Sequence, residues 1–285
     1  MKPIKFIILL LSLLIISCAN KISIKNSFND WSKQNLNGKV KSLSLYEYNK
    51  IDSLGNVIKN CEKKKVRHIL FDENGNITEH DTYDDYGGFK NKFIYDDKYN
   101  VIEEITYVGS FSSIQYKITN KYDAHSKLME STLFNASGIL KNKYNYKYDS
   151  KGKLNEKDCL NAKGSLEYIN KYKYDNWGNQ IEDAKYGSDS AFIGRDTYKY
   201  DSVGNKIEFC QFDVNDSLGL KETYKFDSQK NMIEKKDYKV ASYYNNSERL
   251  HVFKYEFDKQ GNWIKLTAII NDIPKYIEVR ELEYY

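Results

Sequence analysis

The stretch Tyr172-Lys173-Tyr174-Asp175-Asn176-Trp177-Gly178-Asn179-Gln180-Ile181-Glu182 is written again and again along the chain. Its aromatic-Asp-x-x-Gly core recurs around Asp149 and Asp201 and, with the Gly replaced, around Asp227. The spacing is 26 residues each time (175−149, 201−175, 227−201). Looser copies put Asp72, Asp96, Asp123 and Asp258 in the same role, and Ile51-Asp52-Ser53-Leu54-Gly55-Asn56 reads as a weak first copy. A fixed period of this size marks a repeat architecture and outranks any single local motif.

Each copy predicts a β-hairpin. Tyr172 and Tyr174 alternate with Lys171 and Lys173, which puts aromatic rings on one face of a strand and ammonium groups on the other. Asp-x-x-Gly is the signature of a type I turn, with Asp bonding the turn backbone and Gly tolerating positive φ. On this reading Asp72 with Gly75, Asp149 with Gly152, Asp175 with Gly178, Asp201 with Gly204 and Asp258 with Gly261 are structural turn residues. Three copies carry Tyr99, Ser126 and Lys230 in place of the Gly, and looser or differently built turns are expected there. No copy has the three- and four-residue apolar spacing of a helix.

A four-residue loop after Asp fixes a register. The aromatic before Asp then faces the residue six after it, giving Tyr174–Ile181, Tyr200–Ile207, Phe226–Ile233 and Phe257–Ile264. The Lys two before Asp faces the Glu seven after it, giving Lys121–Glu130, Lys147–Glu156, Lys173–Glu182, Lys199–Glu208 and Lys225–Glu234. Aromatic–β-branched and opposite-charge pairs each contribute roughly 0.2–1 kcal/mol across a sheet, and a shift by one residue loses both sets. The recurring Glu therefore reads as a charged ladder that keeps a sheet face soluble, not as a catalytic pair.

Nine hairpins imply about eighteen strands, and open twisted sheets rarely exceed roughly ten without curling or splitting. The expected fold is all-β: a long antiparallel meander rolled into a curved or spiral sheet, its concave side lined by Tyr, Phe and Ile, with atypical end units as caps. A membrane-spanning barrel is rejected, since it needs an unbroken lipid-facing apolar band. One face here carries Tyr along its length and the other alternates Lys and Glu. Residues 39–285 form this domain. Before it, Ser27–Leu36 predicts a short helix with Phe28, Trp31 and Leu36 on one face, ended by Gly38 and plugging the open end of the first hairpin. Trp31 reads as core packing rather than a ligand platform. The 31-residue gap from Asp227 to Asp258 places an insertion around Tyr243-Tyr244-Asn245-Asn246.

Residues 1–17 read as a targeting segment, with Lys2 and Lys5 ahead of an apolar run, Phe6–Ile16, too short to span a bilayer. The run closes on Ile15-Ile16-Ser17-Cys18, which resembles a bacterial lipobox. That resemblance implies lipid attachment at Cys18, a tether over residues 18–38, and a membrane partner through the anchor. Ala19-Asn20 lacks an acidic run resembling a surface-export signal, so the expected address is the periplasmic face of the outer membrane, with the cell surface as the alternative. Removing residues 1–17 leaves 42 Lys and Arg (44−2) against 40 Asp and Glu. The signs interleave, so no basic stripe exists for nucleic acid, and that partner class is excluded. Cys61, Cys159 and Cys210 then remain, an odd number at unequal repeat positions. Free thiols are expected, with a Cys159–Cys210 bridge left open.

The copies Tyr148-Asp149-Ser150-Lys151-Gly152, Tyr174-Asp175-Asn176-Trp177-Gly178-Asn179 and Tyr200-Asp201-Ser202-Val203-Gly204-Asn205 resemble the YD repeat of the RHS and teneurin families over about residues 40–285. With the lipobox, the opening Gly38-Lys39-Val40-Lys41-Ser42 and the closing Glu-Leu-Glu-Tyr-Tyr, the arrangement is similar to short YD-repeat lipoproteins of Bacteroidetes. Long relatives coil their repeats into a shell that can enclose a C-terminal toxin. The sequence here runs to its last strand with no such domain and no self-cleavage motif, so only Cys18 is carried over from a family.

No enzyme is expected. His68, His80, His125 and His251 sit in different repeats without metal spacing, and no nucleophile elbow, P-loop or dinucleotide fingerprint occurs. The Asp-x-x-Gly-Asn loops lack the dense carboxylates of a calcium loop, so no metal or cofactor is expected. The leading functional expectation is a lipid-anchored envelope protein whose Tyr-rich sheet binds a glycan, peptide or protein. The alternatives are a carrier of an apolar ligand or lipid, and an immunity or accessory protein to a toxin.

Overall fold

The computed structural model describes residues 29–59, 61–109, 112–239 and 247–285. Cys18, the targeting segment, Phe28 and the Tyr243–Asn246 insertion lie outside them. The first six strands are β1 (Val40–Tyr48), β2 (Lys64–Phe71), β3 (Ile77–Thr82), β4 (Phe89–Tyr95), β5 (Val101–Val108) and β6 (Ser113–Tyr122). The middle six are β7 (Leu128–Asn135), β8 (Leu140–Tyr148), β9 (Leu154–Asn161), β10 (Leu166–Tyr174), β11 (Gln180–Gly187) and β12 (Phe192–Tyr200). The last six are β13 (Lys206–Phe212), β14 (Leu218–Phe226), β15 (Met232–Lys239), β16 (Ser247–Phe257), β17 (Trp263–Ile270) and β18 (Ile273–Tyr284). Each strand pairs antiparallel with its sequence neighbour, as the hairpin reading predicts.

The sheet is closed, which corrects the expected rolled or spiral sheet. β18 pairs antiparallel with β1 from Val40↔Tyr284 to Tyr48↔Ile277, while β1 also pairs with β2. Strands of similar length, joined by similar turns, curl at a steady rate until the last meets the first. Pairing there removes two exposed edges that would otherwise recruit other chains.

The Asp turns are all one device. In the β8–β9 hairpin the Asp149 N–H donates to the Lys153 carbonyl at 2.8 Å, and the Gly152 N–H donates to the Asp149 carbonyl at 2.9 Å. The Asp149 carboxylate accepts from the N–H groups of Lys151 and Lys153. This is a type I turn followed by one left-handed residue, the three-residue hairpin loop with a bulge. The Gly-less copies are no looser: Tyr99, Ser126 and Lys230 adopt φ of 61°, 62° and 65° and make the same backbone bonds. The weak copy at Asp52 also folds as this turn, but between β1 and β2, at the opposite rim from the other repeat copies. The same turn recurs in the β13–β14 connection, on Asp213–Asp216.

The bulge splits the predicted register in half. All five Lys–Glu pairs form, Lys173 facing Glu182 and Lys199 facing Glu208 among them. The aromatic–Ile pairs do not: Tyr174 faces Gln180, Tyr200 faces Lys206, Phe226 faces Met232 and Phe257 faces Trp263. The left-handed turn residue leaves one extra residue on the return strand, so Ile207 and Ile233 stay exposed beside the Glu instead of lining the concave side.

At the Asp-turn rim, helix α1 (Asp30–Lys33) is capped by Asn29 and is shorter than the sequence predicted. Trp31 is core, as expected: its ring packs with Leu43, Ile69, Phe71 and Ile77, and its Nε1–H donates to the Val40 carbonyl at 2.7 Å. The segment then crosses the rim. Asp30 accepts from the Ile77 N–H, Asn35 donates to the Gln229 carbonyl, and Asn37 and Asn262 exchange two hydrogen bonds. It thus ties the β2–β3, β14–β15 and β16–β17 turns together across one mouth of the barrel.

Candidate binding lumen

Strand alternation gives the wall two chemically distinct faces. The face on which Trp31 packs, that of Leu43, Ile69 and Phe71, is the inner one. Following the register around the wall puts Tyr146, Tyr172, Tyr198, Tyr224 and Tyr255 on that face, each three residues before a turn Asp. Between them on the intervening strands stand Lys157 opposite Tyr146, Asp183 opposite Tyr172, Phe209 opposite Tyr198, Lys235 opposite Tyr224 and Leu266 opposite Tyr255. An eighteen-stranded barrel is wider than side chains can fill. Accordingly Tyr146, Tyr172, Tyr198 and Tyr224 are half-buried rather than buried.

The electrostatics of this lining follow from partial desolvation, which disfavours charge. Burial raises the Tyr172 and Tyr198 phenols well above their ordinary range, and neighbouring carboxylates add to it. Burial also lowers the Lys157 and Lys206 ammonium groups. Asp196 faces Asp183 directly across β11 and β12. Burial first, and then that like charge, push Asp196 up to about 6. The Asp183 carboxylate is also raised by burial, against a 2.7 Å hydrogen bond from the Asn170 amide. A second inner pair joins His251 Nε2 and Asp237 at 2.7 Å, with Arg249 Nε on the other carboxylate oxygen at 3.0 Å. The lining therefore offers aromatic faces, hydroxyls and charges of both signs.

The outer face is a belt of ion pairs. Glu182 lies between Lys173 at 2.8 Å and Arg195 at 3.3 Å, Glu208 between Lys199 and Lys221, both at 2.7 Å, and Glu130 between Lys121 at 2.8 Å and Lys143 at 2.5 Å. Each Glu thus bridges the two strands flanking its own. Hydrogen bonds from Lys121 and Lys143 hold the Glu130 carboxyl below its ordinary value.

The sequence-predicted residues fall at one rim and act as turns. Asp72, Gly75, Asp149, Gly152, Asp175, Gly178, Asp201, Gly204, Asp258 and Gly261 all belong to the turn device. Their carboxylates are occupied: burial pushes Asp175 up, but the Asn179 side chain and turn N–H groups outweigh it and hold it below the usual range. Cys159 and Cys210 are free and buried on opposite faces of the wall, so the bridge left open by the sequence does not form.

Sequence reasoning missed the work of the Tyr directly before Asp. Its hydroxyl donates to the first carbonyl of the preceding hairpin's return strand: Tyr148 to Leu128, Tyr174 to Leu154 and Tyr200 to Gln180, at 2.7 to 2.8 Å. Tyr122 to Val101 and Tyr95 to Ile77 are the same latch, while in the last copy, where Phe257 precedes Asp258, Tyr255 makes it to Met232. These rings join neighbouring hairpins, leaving Tyr146, Tyr172, Tyr198 and Tyr224, three before Asp, to face the lumen. The Tyr-x-Tyr-Asp run at Asp149, Asp175 and Asp201 was the available signal.

The fold is thus a closed antiparallel β-barrel, charged outside and tyrosine-lined inside. No family model and no curated protein matches the chain. Among solved structures it is similar to the TcdB2-TccC3 crystal structure, at 16% identity and a TM-score of 0.30, over 75% of this chain and 14% of that one. The chain therefore spans about a seventh of the toxin chain it matches. It is also similar to a porin-like protein from Bacteroides uniformis ATCC 8492, at 10% identity and a TM-score of 0.45, over 86% of this chain and 96% of that one. A porin-like protein from Bacteroides vulgatus ATCC 8482 matches at 11% identity and a TM-score of 0.33, over 86% and 98%.

Proposed function

We propose that the chain is a binding protein of the cell envelope, tethered by lipid at Cys18, whose barrel works in water beside the membrane and takes a hydrophilic ligand into its lumen. The outer belt is the observation that carries this. Glu130, Glu182 and Glu208, each held between two cations, stand on the outer wall at the third residue of their strands from the Asp-turn rim. Their partners Lys143, Arg195 and Lys221 carry the charge to mid-strand, where a membrane barrel has its apolar band. Burying one Lys or Arg in hydrocarbon costs about 2–4 kcal/mol at the midplane, and the belt repeats such cations around the wall.

The lining favours a glycan or a polar peptide over an apolar cargo. Tyr146, Tyr172, Tyr198 and Tyr224 supply stacking area, and Lys157, Asp183 and Lys235 stand beside them with hydrogen-bonding charge. Catalysis is not part of this reading, since the turn carboxylates are spent on backbone. The lipobox resemblance supports an envelope address, and Ala19-Asn20, without an acidic run, favours the periplasmic face of the outer membrane over the cell surface.

The test is a Cys18→Ala chain. It should be soluble and β-rich without detergent, and should retain from a glycan array or an envelope extract a ligand that Tyr172→Ala with Tyr198→Ala loses. A Cys18→Ala chain that requires detergent, or a native chain that conducts ions across planar bilayers, would overturn the water-exposed wall. Empty arrays and extracts would remove the lumen ligand.

A further inference from the structure

We propose that the Asp-turn rim of the barrel lies on a bilayer surface of zwitterionic phospholipid, with Trp177 and Val203 in the headgroup layer. This rests on lipid attachment at Cys18. Both β1 and β18 meet this rim, and the first described residues are pinned to it. Asn29 Nδ2 donates to the Asn74 carbonyl at 2.8 Å, and the Asp30 N–H donates to the Gly75 carbonyl at 2.8 Å.

Cys18 precedes Asn29 by eleven residues (29−18), a covalent reach of at most about 38 Å. A nine-residue strand spans about 30 Å. The pinned rim can therefore touch the bilayer with slack in the tether. The opposite rim could do so only if most of the tether ran the length of the wall.

The tips of the rim supply the second argument. The third residue of each turn points outward, and most turns place a polar side chain there, such as Asn74, Lys98, Lys151 or Gln229. Two adjacent hairpins, β10–β11 and β12–β13, instead carry Trp177 and Val203, which are 86% and 67% exposed. Indole rings favour the membrane–water interface, where the ring is half-solvated and its N–H finds polar partners. The turns set Lys98, Lys127, Lys151, Lys153, Lys230 and Lys259 beside their Asp residues, so the rim carries both signs and suits a zwitterionic headgroup layer. The opposite rim also exposes apolar side chains, Leu54, Tyr86, Ile139 and Val214 among them, so the tether decides which rim meets the bilayer, and Trp177 and Val203 are what that rim presents to it.

The experiment uses the lipidated full chain in vesicles of phosphatidylcholine brominated on the acyl chain. It compares wild type, Trp177→Phe, and Trp177→Phe with Leu54→Trp. The fluorescence lost from wild type should all but disappear when Trp177 is removed, as expected for one ring at headgroup depth beside two within the fold. The Leu54→Trp chain should lose no more than Trp177→Phe. Equal quenching of wild type and Trp177→Phe, or greater quenching of Leu54→Trp, would overturn the orientation. The intact mass reads the anchor independently. A chain without the acyl mass defeats the anchor and this proposal together, whereas an acylated but unquenched chain defeats the orientation alone.

Discussion

Exchanging the left-handed residue of the turns should separate three outcomes by sign and size. At Ser126, φ is 62°, and an L-residue there costs roughly 1–2 kcal/mol relative to its right-handed preference. Ser126→Gly removes that cost but adds about 0.4–1 kcal/mol of unfolded-chain entropy, so a net gain of about 0.5–1 kcal/mol is expected. Gly204 has φ 86°, and a Cβ built there meets nothing within 4 Å. Gly204→Ala should therefore lose about 0.5–1 kcal/mol by the same balance in reverse. Gly75 differs, because a Cβ would sit 2.5 Å from the Trp31 ring and 2.6 Å from Asn29 Nδ2. Displacing the buried Trp31 adds about 1–3 kcal/mol, so Gly75→Ala should lose about 2–4 kcal/mol. Urea titration followed by far-ultraviolet circular dichroism, on the Cys18→Ala background with the m-value checked for constancy, reads all three. The reasoning fails if Ser126→Gly destabilises, or if Gly75→Ala costs no more than Gly204→Ala.

Tyr200→Phe removes a 2.8 Å latch to the Gln180 carbonyl and should lower stability by about 1 kcal/mol in the same titration. Glu130→Gln should cost at most about 1 kcal/mol at low salt and almost nothing in molar salt, because its partners are exposed. Its folded pKa is depressed, so the contribution stands above the unfolded value of 4.5 and disappears as pH falls through the folded one. Asp196 has the opposite sign: raised from 3.8 to about 6, it binds its proton more readily folded than unfolded. Wild type should therefore gain stability from this group as pH drops from 7 towards 4, and Asp196→Asn should flatten that part of the profile measured by thermal melting.

The repeat unit was legible because its determinants are local. Asp, Gly and the Lys–Glu alternation act within one hairpin, and the five predicted Lys–Glu pairs stand in the wall. The misplaced Ile residues came from counting four loop residues evenly. A left-handed residue after a type I turn is itself a bulge signal, and Gly178 and Gly204 carried it. Tyr99, Ser126 and Lys230 were misjudged because the turn's hydrogen bonds, led by Asp, hold even a side chain with a Cβ in the left-handed region. Closure was not legible. Whether Leu43 meets Leu282 depends on curl accumulated over eighteen strands, and no single copy encodes it. The lumen was legible as a Tyr face but not as an enclosed one.

The seam between the first and last strands is where the closed wall is most directly tested. Ser44 faces Glu281 across it, and Lys173 faces Glu182 within a hairpin. Cross-strand partners lie close to the 4.4–6.8 Å Cα separation of a disulfide. In a chain with Cys61, Cys159 and Cys210 replaced by Ser, oxidation of Ser44→Cys with Glu281→Cys should cross-link as fully as Lys173→Cys with Glu182→Cys, and the seam link should be lost in urea. A hairpin pair that closes while the seam pair stays reduced would mean an open sheet, and the barrel would be wrong.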